Sequence, residues 1–210
     1  PQAMTEQVPS TAQIAEVRKR VGHQYLRVAG QSLCKDAALA VDFNSIGAGY
    51  AVDRISARLA ELGVSSYLVE ATGELRAQGR KPDGSAWRIA IEAPLARQQV
   101  AEKIIALDGY GVSTSGDYHN YFEQGGLRYS HSLDPQTGAP IRHNLAQVTV
   151  VDRSAQRADG LSTLLMVLGP QRGLAFAERE GIAALFVSRA PQGFVSQASS
   201  TFTHLFGALE

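Results

Sequence analysis

The chain has 210 residues, 44% of them hydrophobic and 19% charged, and its 20 basic and 20 acidic side chains leave a formal net charge of zero. These values fit a globular chain with one sizeable core, as one domain or a small pair, and the lack of any basic run argues against nucleic-acid binding and against an electrostatic membrane patch. The single Cys34 excludes an internal disulfide, leaves the redox compartment open, and reads as a small buried hydrophobe rather than a catalytic thiol. No apolar run approaches the length of a membrane span, and no signal peptide is evident. Pro1-Gln2-Ala3 is not a natural start, so the chain is expected to be part of a longer product.

Residues 1–9 read as a linker or loose arm. Thr11 to Arg20 carries Ile14, Val17 and Val21 at helical spacing, with Ser10 or Thr11 as N-cap and Gly22 as the stop. Strands are expected at Tyr25–Val28 and Leu39–Phe43. The segment Asp42 to Asp53 passes from an apolar strand through a small-residue turn into a helix, with Val52, Ile55, Leu59 and Leu62 on one face and Gly63 at its end. Two glycines at such a junction let a ligand approach the backbone, and a helix N-terminus favours an anion; alone this is a weak signal, since tight packing is the commoner reason for such glycines. The spacing is not G-x-G-x-x-G.

Tyr67–Glu70 reads as a strand, Arg80–Ser85 as a hairpin tip, and Ala86–Glu92 as a cleanly alternating strand. Lys103–Leu107 suits a strand or a helix end. Gly111–Asp117 reads as a polar turn, and Tyr121–Glu123 and Leu127–Tyr129 as a hairpin around Gln124-Gly125-Gly126. Val148–Val151 is a strand, two consecutive helices end near Arg179, and Ala183–Ser188 and Phe194–Gln197 form a last hairpin. Hairpins outnumber β-α-β units, so the class is α+β, with mixed or antiparallel sheets and packed helices.

The stretch from Tyr129 to Thr163 carries the chemistry. His131 stands beside a turn closed by Asp134-Pro135 and Thr137-Gly138, and a near-neutral pKa would suit proton removal from a hydroxyl as well as a structural role. Asp159 and Thr163 are four apart, so a helix starting there stacks two oxygens on one face. That pair suits a hard cation such as Mg²⁺, a usual partner of substrate phosphates; an acidic helix start and a hydroxyl bonded one turn back are the plain alternatives. His23, His119, His143 and His204 read as surface or structural. A Ser115–His131–Asp134 hydrolase lacks the G-x-S-x-G elbow.

Taken together, Asp42 to Asp53, Ser113-Thr114-Ser115-Gly116, Ser130 to Pro140, Ala158 to Thr163 and Val167 to Pro170 resemble the ApbE-type FAD:protein FMN transferase family, in the same order and spacing. The resemblance runs from about Pro9 to the C-terminus. It implies the family's α+β transferase fold and Mg²⁺-dependent transfer of FMN from FAD to a threonine or serine of a target protein, with AMP leaving. It implies His131 as the base, and Asp159, Thr163 and Ser45 as metal ligands with Ser162 as a further candidate. Asp42, Ala48 and the Leu133 region would lie at the flavin nucleotide. It further implies an exported, periplasmic protein, often a lipoprotein tethered to the inner membrane through a segment not in this chain, whose targets are subunits of membrane redox complexes.

Two departures are visible. Ala48 stands where the family usually carries Lys or Glu, and Asn44-Ser45 replaces small residues that are often glycine. The family also has an upstream region that supplies part of the FAD pocket, so residues 10–210 are expected to be the C-terminal catalytic portion. Two other readings are a FAD pyrophosphatase, with water as nucleophile, and a non-catalytic flavin-binding protein.

Overall fold

The computed structural model describes residues 9–94, 100–116, 121–124, 127–130 and 132–209. The chain divides into two units: Pro1–Asp42 with Asn120–Arg142, and Phe43–His119 with His143–Glu210.

In the first unit, helix α1 (Thr11–Arg18) begins with a capping box: Gln13 N–H donates to Ser10 Oγ and Ser10 N–H to Gln13 Oε1, satisfying two groups the helix cannot. It is a surface helix, as its sequence suggests: it buries no residue, and Val17 and Val21 are exposed. Strands β1 (Leu26–Ala29) and β2 (Ser32–Lys35) form an antiparallel hairpin, turned at Gly30. The strand expected at Leu39–Phe43 is absent, because the chain is turning there: Leu39 N–H bonds Ala37 O, and Lys35 Nζ donates to Leu39 O.

The second unit opens with α2 (Gly47–Glu61), followed by β3 (Tyr67–Ala71), β4 (Glu74–Gln78), β5 (Trp87–Glu92), β6 (Ala101–Leu107) and β7 (Tyr110–Gly116). The first unit resumes with β8 (Tyr121–Gln124) and β9 (Leu127–Ser130), an antiparallel pair. The second then completes itself with β10 (Leu145–Asp152), α3 (Ala155–Glu180), β11 (Ala183–Ala190), β12 (Gly193–Ala198) and α4 (Ser200–Phe206). Six of these strands form one antiparallel sheet in the order β12-β11-β10-β7-β4-β3.

The two faces of that sheet carry different side chains. Leu75, Ala77, Val112, Val151, Ala183 and Leu185 point to one side and bury against Ile91, Ile105 and Leu107 of the β5–β6 hairpin and Phe202 of α4. Helix α4 was not anticipated. Its N-cap Ser199 is fully buried, accepting from Ala184 and Phe202 N–H and donating to Ile182 O. The other face meets α3: β10 and β11 offer it Val148, Val150 and Phe186, but β7 offers only small residues. A Cβ on Gly111 would lie 2.7 Å from Ala155 Cα, so the helix backbone sits almost on the strand.

This explains why Gly111–Asp117, expected as a polar turn, is a central strand through Gly116. Its glycines and hydroxyls are what close helix approach requires, and packing overrides their turn-like composition; Asp117 lies outside the described residues. A related correction applies to α2. Val52 is buried as expected, but its buried neighbours are Gly49 and Ser56, whereas Ile55 and Leu62 are 45% and 62% exposed. The face is chosen by close contact with α3, not by apolar content.

Helix α3 is one element broken at Gly169, whose φ of 77° is not helical, ahead of Pro170. Pro170 has no N–H to give to Met166 O, four residues back. His143 takes the place of that donor: its Nε2 lies 2.8 Å from Met166 O, while Nδ1 accepts from Leu145 N–H at 3.3 Å. A carbonyl can only accept, so the proton is on Nε2. The ring occupies the space a side chain at Gly169 would need. The expectation that His143 is structural acquires a specific content.

Candidate active site

Helices α2 and α3 cap one another. Asp53, in the second turn of α2, accepts from Ala155 N–H at 3.0 Å, Gln156 N–H at 3.1 Å and Ser154 Oγ at 2.7 Å, which places its carboxylate on the first N–H groups of α3. Asp159, in the second turn of α3, accepts from Gly49 N–H of α2 at 3.0 Å. Helix α2 has no side-chain cap of its own, and Asp159 supplies one from the neighbouring helix. Gly49 and Asp53 are one turn apart on α2, as are Ala155 and Asp159 on α3, so the two halves mirror each other. The crossing is close enough that a Cβ on Gly49 would lie 2.4 Å from Ala155 O. Contrary to expectation, Asp159 does not begin its helix: α3 starts at Ala155, with Ser154 as N-cap accepting from Arg157 N–H.

The two carboxylates are tuned in opposite directions. Burial raises Asp53, but the donors from Ser154, Ala155 and Gln156 and the Arg76 guanidinium outweigh it, and the carboxyl is held below its ordinary value. Asp159, only 5% exposed, is raised by burial, which the single Gly49 N–H does not offset. A buried carboxylate that is costly to ionise is one a cation would stabilise.

Residues with oxygen donors lie along the segments next to it. Thr163 is half-buried one helical turn further along α3. Ser45 lies exposed in the turn entering α2, with its carbonyl oxygen 3.8 Å from where a Cβ on Gly160 would sit. Ser162, fully buried, lies 3.1 Å from Ser113 Oγ and 2.9 Å from Ser115 Oγ, and donates to Asp159 O at 2.9 Å. Its hydroxyl is engaged in bracing α3 against β7. Glu74, which sequence reasoning passed over, receives a hydrogen bond from Ser113 Oγ at 3.4 Å. Burial raises its carboxyl, and the charge of Asp159 adds to the effect. Among the described residues, no group of three or more His, Cys, Asp or Glu side chains could hold a metal. The oxygens offered by the described residues here are a carboxylate, hydroxyls and a backbone carbonyl, a donor set that suits a hard ion.

Of the other expected site residues, Ala48 is half-buried in the first turn of α2. Asp42 and Leu133 belong to the first unit. Both are exposed, and Leu133 bridges Pro140 across the turn. That turn closes as anticipated, with Gly138 N–H on Asp134 O at 2.7 Å, Gln136 N–H on Asp134 Oδ1 at 2.8 Å, and Gly138 at φ 72°. His131 lies outside the described residues.

The fold and this constellation define an α+β protein with a buried carboxylate at a helix crossing. Residues 1–186 match the ApbE family, and the chain belongs to that family. It is 43% identical over 203 residues to the FAD:protein FMN transferase of Vibrio cholerae, a match covering 96% of this chain and 61% of the relative. Against the Escherichia coli K12 protein of the same name it is 39% identical over 207 residues, 96% of this chain and 59% of the relative. Among solved structures, the apo flavinyl transferase ApbE of Pseudomonas stutzeri superposes with a TM-score of 0.91 at 63% identity, covering 99% of this chain and 65% of that one. The chain thus spans about three fifths of the length of these curated relatives.

Proposed function

We propose that this chain carries the phosphoryl-transfer part of a FAD:protein FMN transferase. A threonine or serine hydroxyl of an acceptor protein attacks the FMN phosphorus of FAD. The new bond is hydroxyl oxygen to phosphorus, the bond broken joins that phosphorus to the bridging oxygen, and AMP leaves with it. The observation that carries this reading is Asp159, a buried carboxylate aimed by Gly49 N–H one turn before Thr163, on a segment whose next residue, Gly160, packs beside the Ser45 carbonyl.

These groups fit Mg²⁺, with Asp159 and Thr163 from the side chains and Ser45 from the turn. A cation bound there would offset charge on the diphosphate oxygens. Ser162, whose hydroxyl is already engaged with Ser113, Ser115 and Asp159 O, serves the site best by fixing α3. His131, by resemblance, takes the acceptor hydroxyl's proton. Asp42 and Leu133 would touch the flavin nucleotide. Ala48 offers only a methyl group where the family usually has a long charged side chain, so FAD binding here rests on the remaining contacts. The setting that fits is periplasmic, with the full-length protein tethered to the inner membrane and a redox-complex subunit as acceptor.

The test is to incubate the protein with FAD, Mg²⁺ and a threonine-containing acceptor peptide, following peptide mass and AMP together. One FMN added per AMP released, abolished by EDTA, is the expected result. AMP with free FMN and an unlabelled peptide would make the protein a pyrophosphatase instead.

A further inference from the structure

Glu74 opens β4 on the side of the sheet that faces α2 and α3. Side chains alternate along a strand, so Glu74 shares a face with Arg76, which reaches Asp53, and opposes Leu75 and Ala77 in the core. Both of its carboxylate oxygens are held. Oε1 accepts from Ser113 Oγ at 3.4 Å and Oε2 from Thr72 Oγ1 at 3.3 Å. Ser162 Oγ on α3 lies 3.1 Å from Ser113 Oγ and 2.9 Å from Asp159 O, and its one proton can go to either; given to Ser113, it continues the chain from Glu74. A chain of two hydroxyls therefore joins Glu74 to the segment that carries Asp159.

The charge balance gives this link its meaning. The donor set proposed for the cation, Asp159 with Thr163 and the Ser45 carbonyl, brings one negative charge to a doubly charged ion. Arg76, the cation nearest along the strand, is engaged by Asp53 at 3.3 Å and by Arg153 O. Asp159 is buried and Glu74 half-buried, and Glu74 feels the charge of Asp159, an arrangement a divalent ion relieves. We infer that Glu74 is a positioning residue of the cation site: without ligating, it supplies the second negative charge and, through Ser113 and Ser162, holds α3 in register. The inference rests on the reading of Asp159 and Thr163 as the cation's ligands.

The test titrates Mn²⁺ alone into the whole chain and follows the paramagnetic resonance of the free ion. Glu74→Gln keeps the shape and the hydrogen-bonding reach but removes the charge. It should weaken Mn²⁺ binding by about 10-fold, the scale of losses when outer-shell groups are removed, and melt no lower than wild type without metal. Glu74→Asp should recover part of the affinity, and Asp159→Asn should lose binding. If Glu74→Gln binds like wild type while Asp159→Asn does not bind, Glu74 has no part in the site and the inference falls. If Glu74→Gln melts far below wild type, its role is structural only. If wild type and Asp159→Asn are alike, the ligand reading itself fails, and Glu74 with it.

Discussion

Asp159→Asn should make the metal-free protein more stable and, on the proposed function, nearly abolish transfer. Burial raises the Asp159 carboxyl in the folded chain, so the folded state holds that proton more tightly than the unfolded one. Stability contributed by the protonated form is present at low pH. It is lost as pH rises from the ordinary carboxylate value through the raised value of Asp159, and above that raised value the penalty is complete. Asparagine keeps an oxygen for Gly49 N–H and removes the charge, so the midpoint of thermal unfolding should rise by a few degrees, as expected when a chain of this size gains on the order of 1 kcal/mol. Saturating Mg²⁺ should stabilise wild type and leave the variant unmoved. Transfer activity should fall on the order of 100-fold or more, at least the upper end of what outer-shell losses cost. A variant that melts lower and still responds to Mg²⁺ would show that Asp159 is a cap and nothing more.

Asp53→Ala should have the opposite signature. The substitution strips Ala155 and Gln156 N–H and the Ser154 hydroxyl of their acceptor and leaves Arg76, 21% exposed, without its carboxylate partner. Loss of a helix cap and of charged hydrogen bonds together predicts about 3 kcal/mol of destabilisation, a drop of roughly 6–12 °C for a chain of this length. The pH dependence fixes the cause. Asp53 is held below its ordinary value, so its contribution is fully present above the ordinary carboxylate value and is lost as pH falls through its own, lower one. Urea unfolding at several pH values should show the acid limb flattened in the variant. An unchanged limb would mean the carboxylate contributes little.

The pairing of these residues was only half legible in the sequence. Asp159 and Thr163 stand out because a carboxylate and a hydroxyl four apart share a helix face. Their partner Asp53 looks like any acidic residue inside a helix. The mirrored spacing, Gly49 to Asp53 and Ala155 to Asp159, was the available signal, and it becomes meaningful only once the helices are known to cross at Gly49. The turn at Asp134–Gly138 and an N-cap at Ser10 or Thr11 are readable because local chemistry alone closes them; the structure selects Ser10.

Strand β7 was not readable, since Gly111, Ser113 and Ser115 are chosen by the approach of α3 rather than by strand propensity. Glu74 was missed for a similar reason: its neighbours Ser113 and Thr72 come from different strands or turns, and no spacing along β4 announces them. His143 was correctly set aside as structural, but its task, replacing the donor that Pro170 lacks, depends on a contact 23 residues away.

The central claim is that the crossing of α2 and α3 presents Asp159, Thr163 and the Ser45 carbonyl to one divalent ion. The most direct measurement is anomalous diffraction from crystals grown with FAD and Mn²⁺, recorded above the manganese absorption edge. The expected result is a peak at bonding distance from the Asp159 carboxylate, Thr163 Oγ1 and Ser45 O, with Glu74 close by but not bonded. A peak elsewhere, or none at these three oxygens while the ion binds in solution, would contradict it.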